Sequence, residues 1–151
     1  MSTHAREQLR DIIAAYVANL TTTSTRVYRN HPYVVTEAQL PCLFIYTTGD
    51  EMLPEYSSPA RQHVREMEVI IEGRAQAKSD VDETLDDIGL EVETAIAAHT
   101  TLAGAAHFIE YQGCEVEIDA EHSVPTGIIR MTFTVRYEIL VTAPGTPLLG
   151  G

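Results

Sequence analysis

The sequence is poor in basic residues, aromatic residues and cysteine. It contains no tryptophan, two cysteines, and ten lysines and arginines against 22 acidic residues, which gives a formal net charge of −12. Lys78 is the only lysine. Such a negative surface repels phosphate, so the composition argues against tight direct binding of nucleic acid or of an anionic membrane. The acidic composition does not exclude a protein along which DNA moves without being tightly bound.

The sequence also lacks the patterns of a secreted or membrane-inserted chain. Cys42 and Cys114 are far apart and show no metal-ligand spacing, so we interpret both as reduced, buried, small hydrophobic residues. The first 20 residues are not a signal peptide, because Glu7 and Asp11 interrupt their apolar residues. No stretch approaches the roughly 18 apolar residues that a membrane span needs. We therefore expect a soluble protein made in a reducing compartment, with no membrane partner.

Hydrophobic periodicity predicts two helices and five strands. Residues 4–20 and the segment after Ser79, the expected N-cap, carry apolar residues every three or four positions. Residues 26–29, 41–46, 61–75, 106–118 and 128–141 have the pattern of strands, with a bulge expected near Gly113 and a bulge or strand end at Gly73. The order α-β-β-β-α-β-β predicts a two-layer α+β fold, in which a single mixed or antiparallel sheet of about five strands carries both helices on one face.

The chain length suggests one domain, which we place at residues 1–141. The segment after it, residues 142–151, ends in APGTPLLGG and has no periodic pattern. We therefore expect a disordered C-terminal tail over these ten residues.

No motif in the sequence requires catalysis. The six histidines show no HxxxH or HxH spacing, and GxSxG, P-loop and GxGxxG motifs are missing. Seven acids between Asp80 and Glu93 alternate with the apolar stripe of the second helix, so we expect them on a solvated face. The sequence predicts a non-enzymatic protein without a metal or other cofactor.

Residues 47–60 are rich in glycine, proline, serine and acids, and they predict a loop or extended arm. Such a long loop in a compact domain is usually functional or mobile. Its apolar residues would suit docking to a neighbouring subunit, although a plain loop would have the same composition. The candidate contact residues in this arm are Thr48, Gly49, Asp50, Glu51, Met52, Leu53 and Tyr56.

Basic residues on two predicted strands are further candidates for subunit contacts. They are the row Arg61, His63 and Arg65 and the pair Arg130 and Arg136. They would meet the acidic helix face of an adjacent copy in a head-to-tail contact, so that reversing both charges of the pair impairs assembly but leaves a folded monomer. The alternative is local cross-strand salt bridges with glutamates of the same sheet. The candidate partners for these are Glu66, Glu68 and Glu138.

Residues 36–51, TEAQLPCLFIYTTGDE, resemble the minor tail protein U family, the tail terminators of lambda-like long-tailed phages. The shared pattern is an acidic residue, a Leu-Pro step, a hydrophobic strand ending in tyrosine, and then Thr-Gly-x-Glu. The strand through residues 66–71, the helix opening at 79–82 and the Tyr-Glu pair at 137–138 match in order, so the resemblance covers residues 5–141.

The resemblance implies a structural virion protein that forms a six-membered ring on the last ring of tail-tube subunits. Such a ring stops tube growth and presents a surface to the head-completion or connector protein, while DNA passes through its lumen without specific binding. The implied location is the head-proximal end of the virion tail, and the host cytoplasm before assembly. No cofactor and no reaction are implied.

Two segments depart from the family pattern, and two other functions stay open. They are the longer segment between Tyr111 and Thr126 and the extra C-terminal tail. The resemblance therefore does not imply the family's contacts at the head side or outer rim for this chain. One alternative is another head–tail connector or neck subunit, whose ring would sit on a portal. The other is a small-molecule-binding or enzymatic α+β domain, which would need a concave pocket with converging polar groups.

Overall fold

The computed structural model describes residues 3–33, 35–77, 79–119 and 124–148. Within these ranges, two α-helices and five β-strands confirm the predicted element order. They are α1 (Ala5–Tyr16), β1 (Val27–Tyr28), β2 (Cys42–Met52), β3 (Gln62–Gln76), α2 (Val81–Ala97), β4 (Phe108–Asp119) and β5 (Thr126–Leu140). Short 3-10 helices at Glu37–Gln39 and Pro54–Tyr56 flank β2.

The strands form one mixed sheet in the order β1-β2-β3-β5-β4. Only β1 and β2 pair in parallel among the described strands, while every other neighbouring pair is antiparallel. β3 and β5 are paired along their whole length, from Gln62 with Leu140 to Gln76 with Thr126. The predicted bulge is present in β4, where the register with β5 shifts between Tyr111 and Gly113. The single five-stranded mixed sheet is therefore confirmed.

Both helices pack on one face of the sheet and enclose the main core, as predicted. Helical spacing buries one side of each helix, and period-two alternation buries every second residue of β5 between Ile129 and Ile139. The helical members of this core are Ala5, Leu9, Ile13 and Ala14 of α1 and Leu85, Ile88, Val92 and Ile96 of α2. Against them lie side chains of β2, β3 and β5, including Ile45, Val69, Ile71, Met131 and Phe133.

Two glycines set how closely α2 approaches the sheet. A Cβ atom at Gly127 would lie 2.7 Å from side-chain atoms of Leu85 and Val81, and one at Gly73 would lie 2.8 Å from Ile88. Gly73 therefore lies within β3 at a close packing contact, and the expectation of a bulge or strand end there was wrong.

The opposite face of the sheet, called the open face below, is only partly covered. A smaller apolar cluster of Cys42, Phe44, Tyr46 and Ile70 packs against Tyr28, Val35 and Leu40 from the segment that precedes β2. Beyond this cluster, towards β5 and β4, the open face carries charged and hydroxyl side chains.

The predicted arm at residues 47–60 is the main error of the sequence interpretation. β2 continues to Met52 and stays paired with β3, and the bulge between Thr47 and Gly49 absorbs the glycine. Between the end of β2 at Met52 and the start of β3 at Gln62, the chain forms only the short Pro54–Tyr56 helix and a turn. Glycine and acids are rare in strands, and here the full-length partner β3 overrides that preference.

Smaller corrections concern single residues. α2 begins after Asp80 and not after the expected N-cap Ser79, and the Asp80 side chain makes no capping hydrogen bond. Cys114 is exposed, so the expectation of burial holds only for Cys42. Val141, expected in the core, is exposed and follows the end of β5. α1 ends at Tyr16, because residues 17–19 form a turn.

The two ends of the described chain meet beside α1. The Ala5 amide donates to the Pro144 carbonyl over 2.9 Å, and the Leu148 amide donates to the Glu138 carbonyl over 2.8 Å. Residues 142–148 of the expected tail are thus held by hydrogen bonds, while residues 149–151 lie outside the described residues. So do residues 120–123, where part of the turn before β5 was expected.

Candidate assembly surface

The twelve candidate interface residues lie on three neighbouring strands and the turn between two of them. β2 and the turn after it carry Thr48, Gly49, Asp50, Glu51, Met52, Leu53 and Tyr56, β3 and the residue before it carry Arg61, His63 and Arg65, and β5 carries Arg130 and Arg136. The structure brings most of their charged side chains into contacts within the subunit. These contacts form three clusters, one on the helix-bearing side and two on the open face.

Asp50 is the centre of the cluster on the helix-bearing side, where β2 passes the beginning of α1. Its Oδ2 accepts hydrogen bonds from Arg6 Nη1 over 2.7 Å and from the Tyr137 hydroxyl over 2.6 Å. Arg65 Nη1 lies 3.8 Å from the same oxygen. The Asp50 side chain is 13% exposed and Tyr137 is fully buried. A carboxylate expected on a mobile arm therefore ties the first helix to the sheet through charge-assisted hydrogen bonds.

The raised pKa values of Tyr137 and Arg6 keep both groups protonated near neutral pH. Burial, together with the hydrogen bond to the Asp50 carboxylate, raises the pKa of Tyr137 to about 12, so its hydroxyl remains a donor. Burial acts to lower the pKa of Arg6, but its hydrogen bond with Asp50 outweighs this and raises the pKa. Burial and the charges of Arg6 and Arg65 lower the pKa of His4, whose Nδ1 accepts the Arg6 amide as the helix cap.

Arg136 is the centre of a second cluster, on the open face. Its Nη2 and Nε donate to Glu66 Oε2 over 2.8 and 3.0 Å, and the two residues are direct partners in the β3–β5 register. The guanidinium carbon lies 4.9 Å from the ring centre of Tyr56 and 4.9 Å from that of Phe108. Cation–π contacts on both sides thus connect the turn after β2 to β4 through this arginine.

Glu72 is the centre of the third cluster and is only 1% exposed. Its Oε1 accepts from the Tyr46 hydroxyl over 2.8 Å and from Arg130 Nε over 3.0 Å, while its Oε2 accepts from Arg74 Nε over 2.8 Å. Two arginines and a hydroxyl offset the cost of burying this carboxylate. Burial and the hydrogen bond to Glu72 raise the pKa of Tyr46 to about 12.

The local alternative for the two strand arginines agrees with the geometry in part. Arg136 pairs with Glu66, as that alternative expected, whereas Arg130 pairs with Glu72 and, over 3.2 Å, with Glu117. The other expected partners make different contacts, since Glu68 accepts from Thr48 and Glu138 pairs with His107. A role of Arg130 and Arg136 in subunit contacts stays a prediction.

The row at the start of β3 is only partly connected. Arg65 Nη2 lies 3.0 Å from His63 Nδ1, and His63 Nε2 lies 2.9 Å from the Pro59 carbonyl. Arg61 is exposed and has no side-chain ion pair among the described residues.

The sequence interpretation missed the outer strand β4 as a surface. β4 pairs with β5 on one side only, and Tyr111, Val116 and Ile118 are 45%, 51% and 40% exposed. A groove of about 350 Å³ runs between α2 and the start of β4, lined by Ile96, Ile109 and Tyr111 among others. The alternating apolar residues of this strand were visible, but its position at the sheet edge follows only from the topology.

Two searches of the described residues concern metal-ligating side chains and membrane-spanning helices. No group of three or more histidine, cysteine, aspartate or glutamate side chains in residues 3–33, 35–77, 79–119 and 124–148 is placed to hold a metal ion. Neither described helix is long and apolar enough to cross a bilayer.

These features define a two-layer α+β domain with ion pairs across its open sheet face and an exposed strand at one side. The chain belongs to the phage minor tail protein U family, whose model matches residues 4–137. The match extends from the cap of α1 to the buried Tyr137 and thus includes both helices, β1 to β4, and β5 except for its last three residues. The resemblance noted in the sequence is confirmed, and the protein is a structural component of the phage virion.

Solved structures show a related fold. A chain of the structure described as "Virion of native gene transfer agent (GTA) particle" aligns with a TM-score of 0.50 and 14% sequence identity. The alignment covers 90% of this chain and 92% of that chain. At this identity the likeness concerns the fold alone. Comparison with curated proteins finds no match.

Proposed function

We propose that this protein forms a ring of six identical subunits on the head-proximal end of the phage tail tube. The ring stops tail polymerisation and offers the surface to which the head attaches. The family match over residues 4–137 carries this proposal. The partners are other copies of the chain, the tail-tube protein and the head-completion or connector protein, which the subunit meets after release into the host cytoplasm.

The charge of the chain is compatible with a ring through which DNA moves. A subunit with a net charge of −12 does not attract phosphate, so DNA passing the lumen would not be held. The arginines that lie on the open face are already paired with Glu66 and Glu72. We therefore propose passage of DNA without specific binding and assign no reaction or cofactor to the protein.

The difference between the two sides of the sheet also supports a ring. A closed ring of identical subunits needs two different surfaces on each copy, because each contact is head-to-tail. This chain presents different side chains at the two sides of its sheet, with exposed β4 on one side and α1 with β1 on the other. Subunit and tube contacts of the twelve candidate residues, Arg130 and Arg136 included, remain part of the proposal.

Growth of tail tubes in the presence of the purified protein tests the function. Tail-tube protein of the same phage is polymerised in solution, the purified protein is added during growth, and tube lengths are measured by electron microscopy. We expect tubes that stop lengthening and carry extra ring-shaped density at one end. Buffer and heat-unfolded protein serve as controls. Tubes that continue to grow at the control rate and lack end density would refute the proposal.

Binding to heads separates the terminator from the connector alternative. DNA-filled heads without tails and free tail tubes are mixed with the protein in parallel and then recovered by sedimentation. We expect co-sedimentation with tubes and, once tubes are capped, joining to heads. Binding to tailless heads without binding to tubes would instead indicate a neck or head-completion subunit.

A further inference from the structure

The sheet ends in an open strand edge on each side. On one side, the outer edge of β4 has no strand partner among the described residues, and at its beginning the Ile109 amide donates to the Thr100 carbonyl over 2.9 Å. On the other side, β1 covers β2 only at Leu43 and Phe44. From Ile45 to Met52, the edge of β2 that faces away from β3 therefore has no strand partner among the described residues. Open edges with free backbone donors and acceptors are templates for pairing with another chain.

The two open edges lie at the same level of the sheet. Ile45 pairs with Ile71, Ile71 with Met131, and Met131 with Cys114. Across the same strands, Met52 pairs with Arg65 and Arg65 pairs with Tyr137, which lies beside the beginning of β4. The open part of β2 and the first half of β4 are therefore the two ends of one row across the sheet.

The strand directions allow these edges to join by simple repetition of the subunit. β2, β3, β5 and β4 alternate in direction, so β2 and β4 are antiparallel to each other. Rotation about an axis along the strands places β4 of one copy beside β2 of the next without reversing either. The junction is then an antiparallel pair, and its repetition leads to a head-to-tail ring.

The side chains of β4 suit a covered strand on the helix-bearing side. Tyr111 packs edge-on against the core residue Phe133 at 5.7 Å, and the register partners of Cys114 and Val116 are the core residues Met131 and Ile129. These side chains and Ile118 thus form an apolar stripe beside α2 that is 40–51% exposed at its three largest members. A strand added to β4 would cover this stripe.

The charges of the two edges favour different partners over identical ones. β4 carries four acids and no basic residue, so pairing of β4 with β4 of another copy would bring like charges together. They are Glu110, Glu115, Glu117 and Asp119.

The opposite side carries arginines without carboxylate partners. Arg26 donates to the carbonyls of Pro41 and Thr22 and makes no ion pair among the described residues. Arg10 Nε is buried and has no hydrogen-bond partner among the described residues. The Ile45–Met52 edge itself carries two acids, of which Asp50 is paired with Arg6 and Arg65, so it repels the acids of β4 less than a second β4 would.

We propose that neighbouring copies join by antiparallel pairing of the outer edge of β4 with the Ile45–Met52 edge of β2. The inference rests on the proposed ring and specifies the two surfaces that build it. It places residues 48–52 of the candidate arm in the contact as backbone, and it adds β4, which the candidate residues did not include.

Disulfide formation with the native Cys114 tests the pairing directly. Thr47 and Met52 pair with Val69 and Arg65 on the same side of the sheet as Cys114. Thr47 lies close to Ile45, which is level with Cys114, so Thr47→Cys tests the level register and Met52→Cys tests a register displaced along the strands. Within one copy, three strand spacings of about 4.8 Å separate β2 from β4, and a disulfide needs Cα atoms within about 7 Å. Any bond between these positions therefore joins two copies.

The expected result is a ladder of covalent oligomers up to the ring when the variant that matches the register is oxidised on tail-tube ends. The matched control carries the same new cysteine with Cys114→Ser and should give no ladder. Dimers from the wild-type chain alone would indicate β4–β4 pairing and overturn the proposal. Rings that form on tubes without any cross-link in either variant would also overturn it, while leaving the proposed function intact.

Discussion

Replacement of Glu72 by glutamine is expected to destabilise the subunit strongly, although the side chain keeps its size. The carboxylate is 1% exposed and accepts from Tyr46, Arg74 and Arg130. In the glutamine variant the charge is lost, and an amide NH2 group faces at least one of these donors. Removing one partner of a buried ion pair costs about 3–5 kcal/mol.

Solvent reduces this cost, because the side chains of Arg74 and Arg130 are 22% and 33% exposed. We therefore expect the free energy of unfolding to fall by about 2–3 kcal/mol, close to the value of one or two hydrogen bonds to a charged group. With a urea dependence of about 2 kcal/mol per molar, the unfolding midpoint should fall by about 1 to 1.5 M.

Urea unfolding measured by circular dichroism and tyrosine fluorescence checks this value, since the chain has no tryptophan. Glu117→Gln is the matched control, because Glu117 contacts the same Arg130 but is 61% exposed. The control should change stability by about 1 kcal/mol or less. Equal, small midpoint shifts in both variants would show that the buried carboxylate contributes no more than a surface ion pair.

The Glu72 cluster also changes the meaning of charge reversal on β5. Arg130→Glu would place a second carboxylate beside Glu72, and Arg136→Glu would do the same beside Glu66. The sequence interpretation expected this double variant to remain a folded monomer. The structure indicates a destabilised subunit instead, so its loss of assembly would not report on a subunit contact.

Three further predictions concern packing and the Asp50 cluster. Gly127→Ala should lower the free energy of unfolding by about 1–3 kcal/mol, because its Cβ would meet α2 side chains at 2.7 Å, whereas Gly49→Ala, with nothing within 4 Å, should change little in thermal melts. Tyr137→Phe removes a 2.6 Å donor to Asp50 and should cost about 1–2 kcal/mol in urea titrations; an unchanged midpoint would contradict it. The lowered pKa of His4 predicts that its stabilising contribution is complete above the ordinary histidine pKa and is lost as pH falls through the folded value. His4→Asn, which caps without titrating, should therefore lose less stability than wild type between about pH 7 and pH 5 in thermal melts, and equal losses would contradict this.

The parts of the fold that were predictable have a strong local period. The buried side of β5 follows from strict alternation between Ile129 and Ile139, and the inner face of α2 follows from steps of three and four. The continuation of β2 beyond Tyr46 has no such period, because Gly49 and Asp50 are residues that strands disfavour. Only the partner strand β3 keeps this segment extended.

The polar clusters were unpredictable for a different reason. Glu72 occupies an outward position of an alternating strand, and sequence alone assigns such a residue to solvent. Its burial comes from Arg74 and Arg130 and from Tyr46 on the neighbouring strand. Arg6 and Asp50 are 44 positions apart in the chain, so their ion pair depends on where α1 crosses the sheet.

The hydrogen bond between Ala5 and Pro144 has a practical consequence for imaging. Because the first helix begins beside the segment that follows β5, a gold particle or fluorescent protein attached at either terminus would mark the same corner of the subunit. Two independently labelled preparations should then show coincident spots around a ring. Their common height along the tail axis would reveal which side of the subunit points towards the capsid.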